Sequence, residues 1–257
     1  MNFIKCDIAD RRANIVLNRP EKRNALHPDM VTELRGCLDD LKQDQSVKVV
    51  VISAEGSVFS AGADLEYLKS LQSNSYEENL EDSEHLKALF EQMYHFPKPM
   101  IAQVEGHAIA GGAGLISVCD LVYCTPETKI GYTEVKIGFV PAIVSAFLIR
   151  KIGESRATQL LLTGELFEAS KCMDFGLVSG VFEADKIAEV VTGIVDKMIT
   201  TNSGESMTLT KQLIREMQTL EIGDALGKAA EYNAKARVTD DCKAGIQAFL
   251  DKKKLKW

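Results

Sequence analysis

The sequence lacks the features that mark a membrane, secreted or nucleic-acid-binding protein. None of its apolar stretches reaches the roughly 20 residues needed to span a bilayer. The first segment, MNFIKCDIAD, has no basic region followed by an apolar run, so no secretory signal is predicted. The only basic run, at residues 252–256, is a short tail. We therefore expect a cytoplasmic protein with no membrane partner.

Metal-binding spacing is also missing. The six cysteines are scattered, with no pair at C-x-x-C spacing, and apolar surroundings predict reduced thiols in the core. A net charge of −7 argues against a nucleic-acid partner, which would require a basic face. The 26% of charged and 46% of hydrophobic residues are typical of a soluble globular protein. A chain of 257 residues can form one large core, or a main domain and a smaller one.

The apolar pattern predicts an α/β fold in the first half of the chain. Short apolar runs at residues 3–8 and 13–17 predict a hairpin, and a helical pattern begins at Pro28. A β-branched run at residues 47–53 predicts a buried strand. The polar, acidic stretch at residues 72–84 predicts a mobile loop between two helices.

The second half is predicted to turn helical. Another buried strand is expected at residues 100–104, and a last one at residues 177–182. After Pro141 the apolar pattern is typical of helices. It predicts seven helical segments, at residues 143–152, 155–162, 169–175, 185–200, 205–220, 222–236 and 239–250. We predict a core at residues 1–184 and a helical region at residues 185–257 that serves as a second subdomain or an oligomerisation element.

Two glycine-rich turns are the first candidates for a functional site. Residues 60–64 and 110–114 each follow a predicted strand and lead into a helix. Glycines there let the backbone approach a ligand, and a helix start offers unpaired N–H donors. If the two strands are neighbours, N–H groups from both turns could converge on one oxygen and form an oxyanion hole. The alternative is two ordinary turns, with Asp64 as a helix N-cap.

A carboxylate in an apolar segment is the second candidate. Glu134 lies between Gly131 and Gly138 in the run IGYTEVKIGFVP. It is either a satisfied structural residue or a general base with a raised pKa. Nearby polar residues, Glu105 and Asp120 among them, are not predicted to act as bases.

Five motifs follow one another in a distinctive order. They are NRPEKRNAL, FSAGADL, KPMIAQVEGHAIAGGAGL with CDLVY, TEVKIGFVPA, and LLLTGELFEASKCMDFGLV. In this order they resemble the crotonase superfamily, the enoyl-CoA hydratase/isomerase family.

The resemblance implies a fold, a substrate class and site residues. The fold would be a spiral of ββα turns with a helical C-terminal region that builds trimers, often stacked as hexamers. Substrates would be acyl-CoA thioesters, with no metal or separate cofactor, and the thioester oxygen would bind the N–H groups of Ala63 and Gly111. Substrate-binding positions by this resemblance are Lys22, Arg23, Ala25, Ala61, Asp64, Leu65, Gly112 and Gly114.

The sequence departs from the family pattern at one acid/base position. Hydratases of the family commonly carry two glutamates; the second matches Glu134, but the first is replaced by Gly114. Hydration of a 2-enoyl-CoA requires deprotonation of water and a proton for C2, which two carboxylates can divide. Isomerisation of a 3-enoyl-CoA needs one base, and family isomerases often keep only the second glutamate.

Three functions therefore remain open. The run GYTEVKIGFVPAIVS resembles enoyl-CoA or methylglutaconyl-CoA hydratases, so a hydratase using Glu134 as acid/base comes first. A 3,2-enoyl-CoA isomerase using Glu134 as sole base is the alternative, and a non-catalytic acyl-CoA binder is the third. The acyl pocket is predicted to include Leu68, Leu71, Phe90 and Tyr94.

Overall fold

Two β-sheets organise the computed structural model, which describes residues 2–257. The strands of this part of the chain are β1 (Ile4–Ala9), β2 (Arg12–Leu17), β3 (Val49–Ala54), β4 (Val58–Ser60), β5 (Met100–Val104), β6 (His107–Ile109), β7 (Leu121–Cys124), β8 (Lys129–Gly131), β9 (Phe167–Glu168) and β10 (Gly180–Val181). The larger sheet has the order β1-β2-β3-β5-β7-β10, and the smaller one has the order β4-β6-β8-β9.

The strands follow a repeating path between the two sheets. The β1–β2 pair is the predicted antiparallel hairpin, whereas β3, β5 and β7 pair in parallel. Each of these three strands leads into a short strand of the smaller sheet, β4, β6 and β8, and then into one or more helices. The predicted α/β spiral of ββα turns is confirmed.

The helices surround these sheets. Their bounds are α1 (Pro28–Gln43), α2 (Leu65–Ser70), α3 (Tyr76–Tyr94), α4 (Gly111–Val118), α5 (Ala142–Ile152), α6 (Glu154–Thr163), α7 (Ala169–Asp174), α8 (Ile187–Thr201), α9 (Gly204–Met217), α10 (Ile222–Val238) and α11 (Asp240–Leu250). As predicted, α1 begins at a proline, which suits a first helical turn, and buries one apolar face. Within residues 2–257, no helix is long and apolar enough to cross a membrane.

The predicted mobile loop at residues 72–84 is wrong, because α3 begins at Tyr76 and continues to Tyr94. The Ser75 hydroxyl accepts from the Glu78 N–H at 3.2 Å, and the Glu78 carboxylate accepts from the Ser75 N–H at 2.7 Å. This capping box satisfies two backbone donors at the helix start. The first turns of α3 are polar because they face solvent.

The predicted last strand, residues 177–182, is shortened to β10.

Helix α8 packs on the larger sheet. Its Val191 and Val195 lie in one buried cluster with Val51 of β3 and Ile101 of β5. Packing therefore joins α8 to the sheets, although it belongs to the predicted helical region at residues 185–257. That division into a core and an oligomerisation region stays a prediction.

Removing the cap of α3 tests whether the start of that helix is held as described. We expect Ser75→Ala to lower the free energy of unfolding by about 1 kcal/mol, because the Glu78 N–H loses its acceptor. The control is Ser83→Ala in the same helix, where an exposed hydroxyl only donates to the Asn79 carbonyl. It should leave stability unchanged or raise it, because alanine has the higher helix propensity. Urea unfolding measures both, and equal losses would contradict the cap.

Candidate active site

Three parallel strands of the smaller sheet end at one edge and carry the candidate residues there. β6 pairs with β4 on one side and with β8 on the other. Ala63 follows the end of β4, Gly111 follows β6, and Glu134 follows β8. Because the carboxyl ends of parallel strands meet at the same edge, the sheet brings these three positions together.

The turns carrying Ala63 and Gly111 are in contact. A methyl group on Gly111 would lie 4.0 Å from the Ala63 nitrogen, and one on Gly62 would lie 3.2 Å from the Gly111 nitrogen. Gly62 has φ +87°, and a side chain there would press against the Ile109 carbonyl oxygen at 2.9 Å. Only glycine fits such a position.

Both backbone donors are free of protein acceptors. Leu26 bridges the first turn by donating to the Gly62 carbonyl and accepting from the Asp64 N–H, which leaves the Ala63 N–H out of the bridge. Gly111 is the first residue of α4, where N–H groups have no partner within the helix. Across residues 2–257, neither N–H donates to a protein acceptor.

The residue before Gly111 has an unusual backbone conformation. Ala110 has φ 51° and ψ −120°, which a residue with a side chain rarely adopts. Its N–H donates to the Gly131 carbonyl of β8 at 2.8 Å, which holds the turn against the neighbouring strand. Such strain costs of order 1–3 kcal/mol and is concentrated at functional sites. Here it sets the orientation of the peptide that carries the Gly111 N–H.

Glu134 opens a short 3-10 turn, Glu134–Ile137, directly beyond β8. Its Oε2 atom is buried and has no hydrogen-bond partner among the described residues. Burial raises the pKa of Glu134, and a hydrogen bond from its own backbone N–H opposes this only in part. A carboxylate with one buried, unpartnered oxygen binds a proton more readily than an exposed one, which suits a group that accepts and returns protons.

Gly114 lies under apolar side chains. A methyl group there would lie 2.3 Å from Val144 Cγ1 and 2.9 Å from Phe90 Cε1. Phe90 and Val144 therefore fill the space that a glutamate at this position would enter. Gly112 is equally enclosed, since its methyl would lie 2.4 Å from the Ser60 carbonyl oxygen. Substrate contact by Gly112 or Gly114 stays a prediction, which this packing does not favour.

Asp64 is the N-cap of α2, as the structural alternative predicted. Its Oδ1 accepts from the N–H groups of Glu66 at 2.9 Å and Tyr67 at 3.2 Å, and its Oδ2 pairs with Arg19 at 2.7 Å. Burial raises the pKa of Asp64, but the bonds from Arg19 and the two N–H groups outweigh it and hold this pKa below its usual range. Arg19 also donates to the Ala25 carbonyl. It thus ties the NRPEKRNAL loop to the first glycine-rich turn.

Asn24 and Ser60 complete this support, and sequence reasoning missed both, as it missed Arg19. The fully buried Asn24 amide donates to the carbonyls of Glu55 and Val58, both at 2.8 Å, and accepts from the Arg19 N–H. The Ser60 hydroxyl donates to the Asn24 carbonyl at 2.8 Å and accepts from the Gly62 N–H. The loop and the turn are therefore held as one unit.

The other predicted substrate-binding residues lie around this unit. Lys22 and Arg23 are exposed, and Lys22 pairs with Glu66 at 2.9 Å. Leu65 is 68% exposed, and Ala25 is buried. The Ala61 N–H donates to the Arg23 carbonyl, so these two are adjacent. Contact of any of them with coenzyme A stays a prediction.

Two residues predicted for the acyl pocket, Phe90 and Tyr94, both pack against Phe147 but differ in their other contacts. Phe90 packs beside Gly114. Tyr94 instead lies beneath the Arg215 guanidinium, 3.9 Å from the ring centre, and donates to Gln218 of the C-terminal region.

Comparison with known proteins identifies the family. The sequence profile of the enoyl-CoA hydratase/isomerase family matches residues 9–257. A Thermus thermophilus protein, provisionally named as an enoyl-CoA hydratase, is 44% identical over 241 residues, covering 94% of this chain and 95% of the relative. The 2,3-dehydroadipyl-CoA hydratase of Escherichia coli is 32% identical, with 93% and 92% covered.

Solved structures agree with this. The enoyl-CoA hydratase of Shewanella pealeana superposes with a TM-score of 0.94 at 28% identity, covering 99% of this chain and 96% of that one. The chain therefore belongs to the enoyl-CoA hydratase/isomerase family of the crotonase superfamily. The predicted family is confirmed, and the chain is an enzyme, either a lyase or an isomerase.

Breaking the Arg19–Asp64 pair tests the support of the first turn. We expect Arg19→Met to lower the free energy of unfolding at pH 7 by about 2–4 kcal/mol, because Asp64 would remain buried and charged. Since the folded-state pKa of Asp64 lies below its unfolded value, this stabilisation is present above about pH 3.9 and is lost as the pH falls through the folded pKa. Urea unfolding at pH 7 and pH 3 should show a smaller difference between wild type and variant at pH 3. Arg23→Met, which removes an exposed cation from the same loop, is the control and should change little at either pH.

A double-mutant cycle tests the packing at Gly114. We expect Gly114→Ala to destabilise the protein by about 1–3 kcal/mol, because the new methyl overlaps Val144. In Gly114→Ala/Val144→Ala the loss should be smaller than the sum of the single losses, since the space is vacated. The control is Gly36→Ala, at a helical position with nothing within 4 Å of the new methyl, which should be stabilising. Additive losses in urea unfolding would contradict the assigned contact.

Proposed function

We propose that the chain is an enoyl-CoA hydratase that adds water to a 2-enoyl-CoA thioester with Glu134 as its acid/base group. One observation carries the proposal: two backbone N–H donors without acceptors and a half-buried carboxylate with one unpartnered oxygen follow neighbouring strands of the smaller sheet at the same end. The names of several relatives as enoyl-CoA hydratases support it.

In the proposed mechanism the thioester carbonyl oxygen accepts from the N–H groups of Ala63 and Gly111. These donors stabilise the negative charge that develops on the oxygen when C3 is attacked, an effect worth about 3–4 kcal/mol for one donor. Glu134 takes a proton from water as the water oxygen bonds to C3, which gives an enolate. The protonated Glu134 then donates a proton to C2, so the product is a 3-hydroxyacyl thioester and the carboxylate is restored.

A 3,2-enoyl-CoA isomerase is the second candidate. The observation that favours it is the packing of Phe90 and Val144 into the space beside Gly114, where hydratases of the family commonly have their first glutamate. Isomerisation needs no second carboxylate: Glu134 would remove a proton from C2 and return it to C4. A relative from Streptococcus mutans, 28% identical, is named as a trans-2-decenoyl-[acyl-carrier-protein] isomerase.

The remaining parts of the proposal concern binding and assembly. Lys22, Arg23, Ala25, Ala61, Asp64 and Leu65 would surround the coenzyme A part of the substrate, and the proposed mechanism uses no metal or separate cofactor. We expect a cytoplasmic homotrimer or hexamer. Exposed apolar side chains just beyond Glu134, with Ile137 66% and Val140 67% exposed, support the burial of this segment against another subunit.

Two substrates separate the candidate functions. With crotonyl-CoA, hydration removes the absorbance of the conjugated thioester, whereas with a 3-enoyl-CoA, isomerisation creates it. We expect loss with crotonyl-CoA, and a fall in kcat/KM of about 10²–10⁴-fold in Glu134→Gln because the amide cannot exchange the proton. Gain with the second substrate alone would establish the isomerase. Silence with both, although the esters bind, would contradict both proposals.

The matched control is Glu105→Gln, which neutralises an exposed glutamate whose side chain accepts from Gln103. It should keep wild-type kcat/KM. The pH profile gives a second readout, since Glu134 must be ionised to take a proton. Because burial raises its pKa, kcat/KM of the wild type should fall on acidification at a pH above the ordinary range of a glutamate. A profile that stays flat down to about pH 4.3, the ordinary glutamate value, would contradict this role.

A further inference from the structure

A cleft of about 650 Å³ opens at the starts of strands β5 and β7, at the opposite end of these strands from the proposed active site. It lies where β5 and β7 begin, between these strands and α9, whereas the active-site edge is reached only beyond their carboxyl ends. Its walls include Leu121, Met207 and Ile214 beside several cations. The size and mixed lining are those of a small-molecule pocket.

Four cations line this cleft, at Arg150, Lys151, Lys211 and Arg215, and its one carboxylate, Asp120, pairs with two of them. Asp120 accepts from Lys211 at 2.7 Å and from Arg215 at 3.1 Å, and it also accepts from the Met100 N–H at 2.7 Å. Lys151, on the last turn of α5, has no ion pair in the described part of the chain and donates to the Cys119 carbonyl. The cluster therefore carries more positive charge than Asp120 can neutralise.

Donors of this cluster remain without acceptors. The Nε of Arg215 is buried and unpartnered within residues 2–257. The Lys151 ammonium makes one hydrogen bond, to the Cys119 carbonyl, so its other donors have no acceptor among the described residues. Burial lowers the pKa of Lys151 to about 8, and the cations of Arg215 and Lys211 add to this effect while Asp120 opposes it. A buried donor that loses water without gaining an acceptor costs about 1–3 kcal/mol. Lys151 lines the cleft, so an anion there would satisfy its remaining donors.

We propose that this cleft binds a small amphipathic carboxylate, such as a short-chain fatty acid. The carboxylate would accept from Arg215 and Lys151, and its hydrocarbon part would lie against Leu121 and Ile214. The apolar walls favour this class over inorganic phosphate, which has no hydrocarbon to bury. The inference is independent of the reaction proposed above.

Hexanoate, hexanamide and inorganic phosphate are the probes, used on the full-length protein in calorimetric titrations. We expect hexanoate to bind, because it has both the anion and the hydrocarbon. Hexanamide and phosphate, which each lack one of these, should bind at least about tenfold more weakly, the factor that 1.4 kcal/mol represents. Arg215→Gln should weaken hexanoate binding by about tenfold or more through loss of a charge-assisted hydrogen bond. Arg156→Gln, which removes an arginine that donates to the Phe175 carbonyl elsewhere, should not.

Since Arg215→Gln also breaks an ion pair with Asp120, a second variant keeps the test valid if that protein fails to fold. Thr210 is exposed and lines the cleft. Thr210→Asp should repel the anion, whereas Thr210→Asn, of the same shape, should bind hexanoate as the wild type does. If Thr210→Asp binds hexanoate as tightly as the wild type, the proposal is overturned, because hexanoate would then bind elsewhere, such as in the acyl pocket. The proposal is also overturned if phosphate binds as well as hexanoate does. It is overturned equally if the wild type does not bind hexanoate, whether or not Thr210→Asp changes the oligomeric state.

Discussion

The parallel pairing of β4, β6 and β8 is the constraint on which the proposed site depends. Each of these strands is only three residues long, yet their pairing sets where Ala63, Gly111 and Glu134 lie. Neighbouring strands lie about 4.8 Å apart, so groups at adjacent strand ends can contact one small substrate. Glycines permit this pairing: a methyl on Gly106, just before β6, would lie 2.4 Å from the carbonyl oxygen of Ser57, just before β4. The glycine-rich motifs are thus requirements of backbone packing before they are requirements of chemistry.

The same packing limits the chemistry. With Phe90 and Val144 filling the space beside it, the position of Gly114 offers no second carboxylate that could divide proton transfer with Glu134. Either proposed reaction then requires one carboxyl group to accept a proton and return it to a neighbouring atom. Burial helps, because it brings the two protonation states of Glu134 closer in free energy near neutral pH. Hydration is the more demanding reaction, since Glu134 must also orient the water.

The helix α1 could be predicted from its clear apolar period, and the strand β5 from its apolar run. The strands of the smaller sheet could not, because three residues within glycine-rich turns show no period. The polar start of α3 was read as a loop because its exposed face hides the helical pattern. Glu134 and the two glycine-rich turns were identified from their local sequence, whereas Ala63 and Gly111 were assigned as donors from the order of motifs. Asn24 was missed because its role lies in contacts with residues 31 and 34 positions away, which no local pattern shows.

The strain at Ala110 gives a physical reason for the rigid support around the turns. A peptide held at φ 51° and ψ −120° would relax unless neighbouring contacts prevented it. The Gly131 carbonyl holds the Ala110 N–H, and the Asn24–Ser60 hydrogen bond and the Arg19–Asp64 ion pair hold the facing turn. Donors fixed in this way need no reorientation when charge develops on a substrate oxygen, and such preorganisation is the main source of oxyanion stabilisation. Folding energy therefore offsets the cost of orienting the proposed donors before substrate arrives, which argues that the buried polar network belongs to the proposed site as much as the donors themselves.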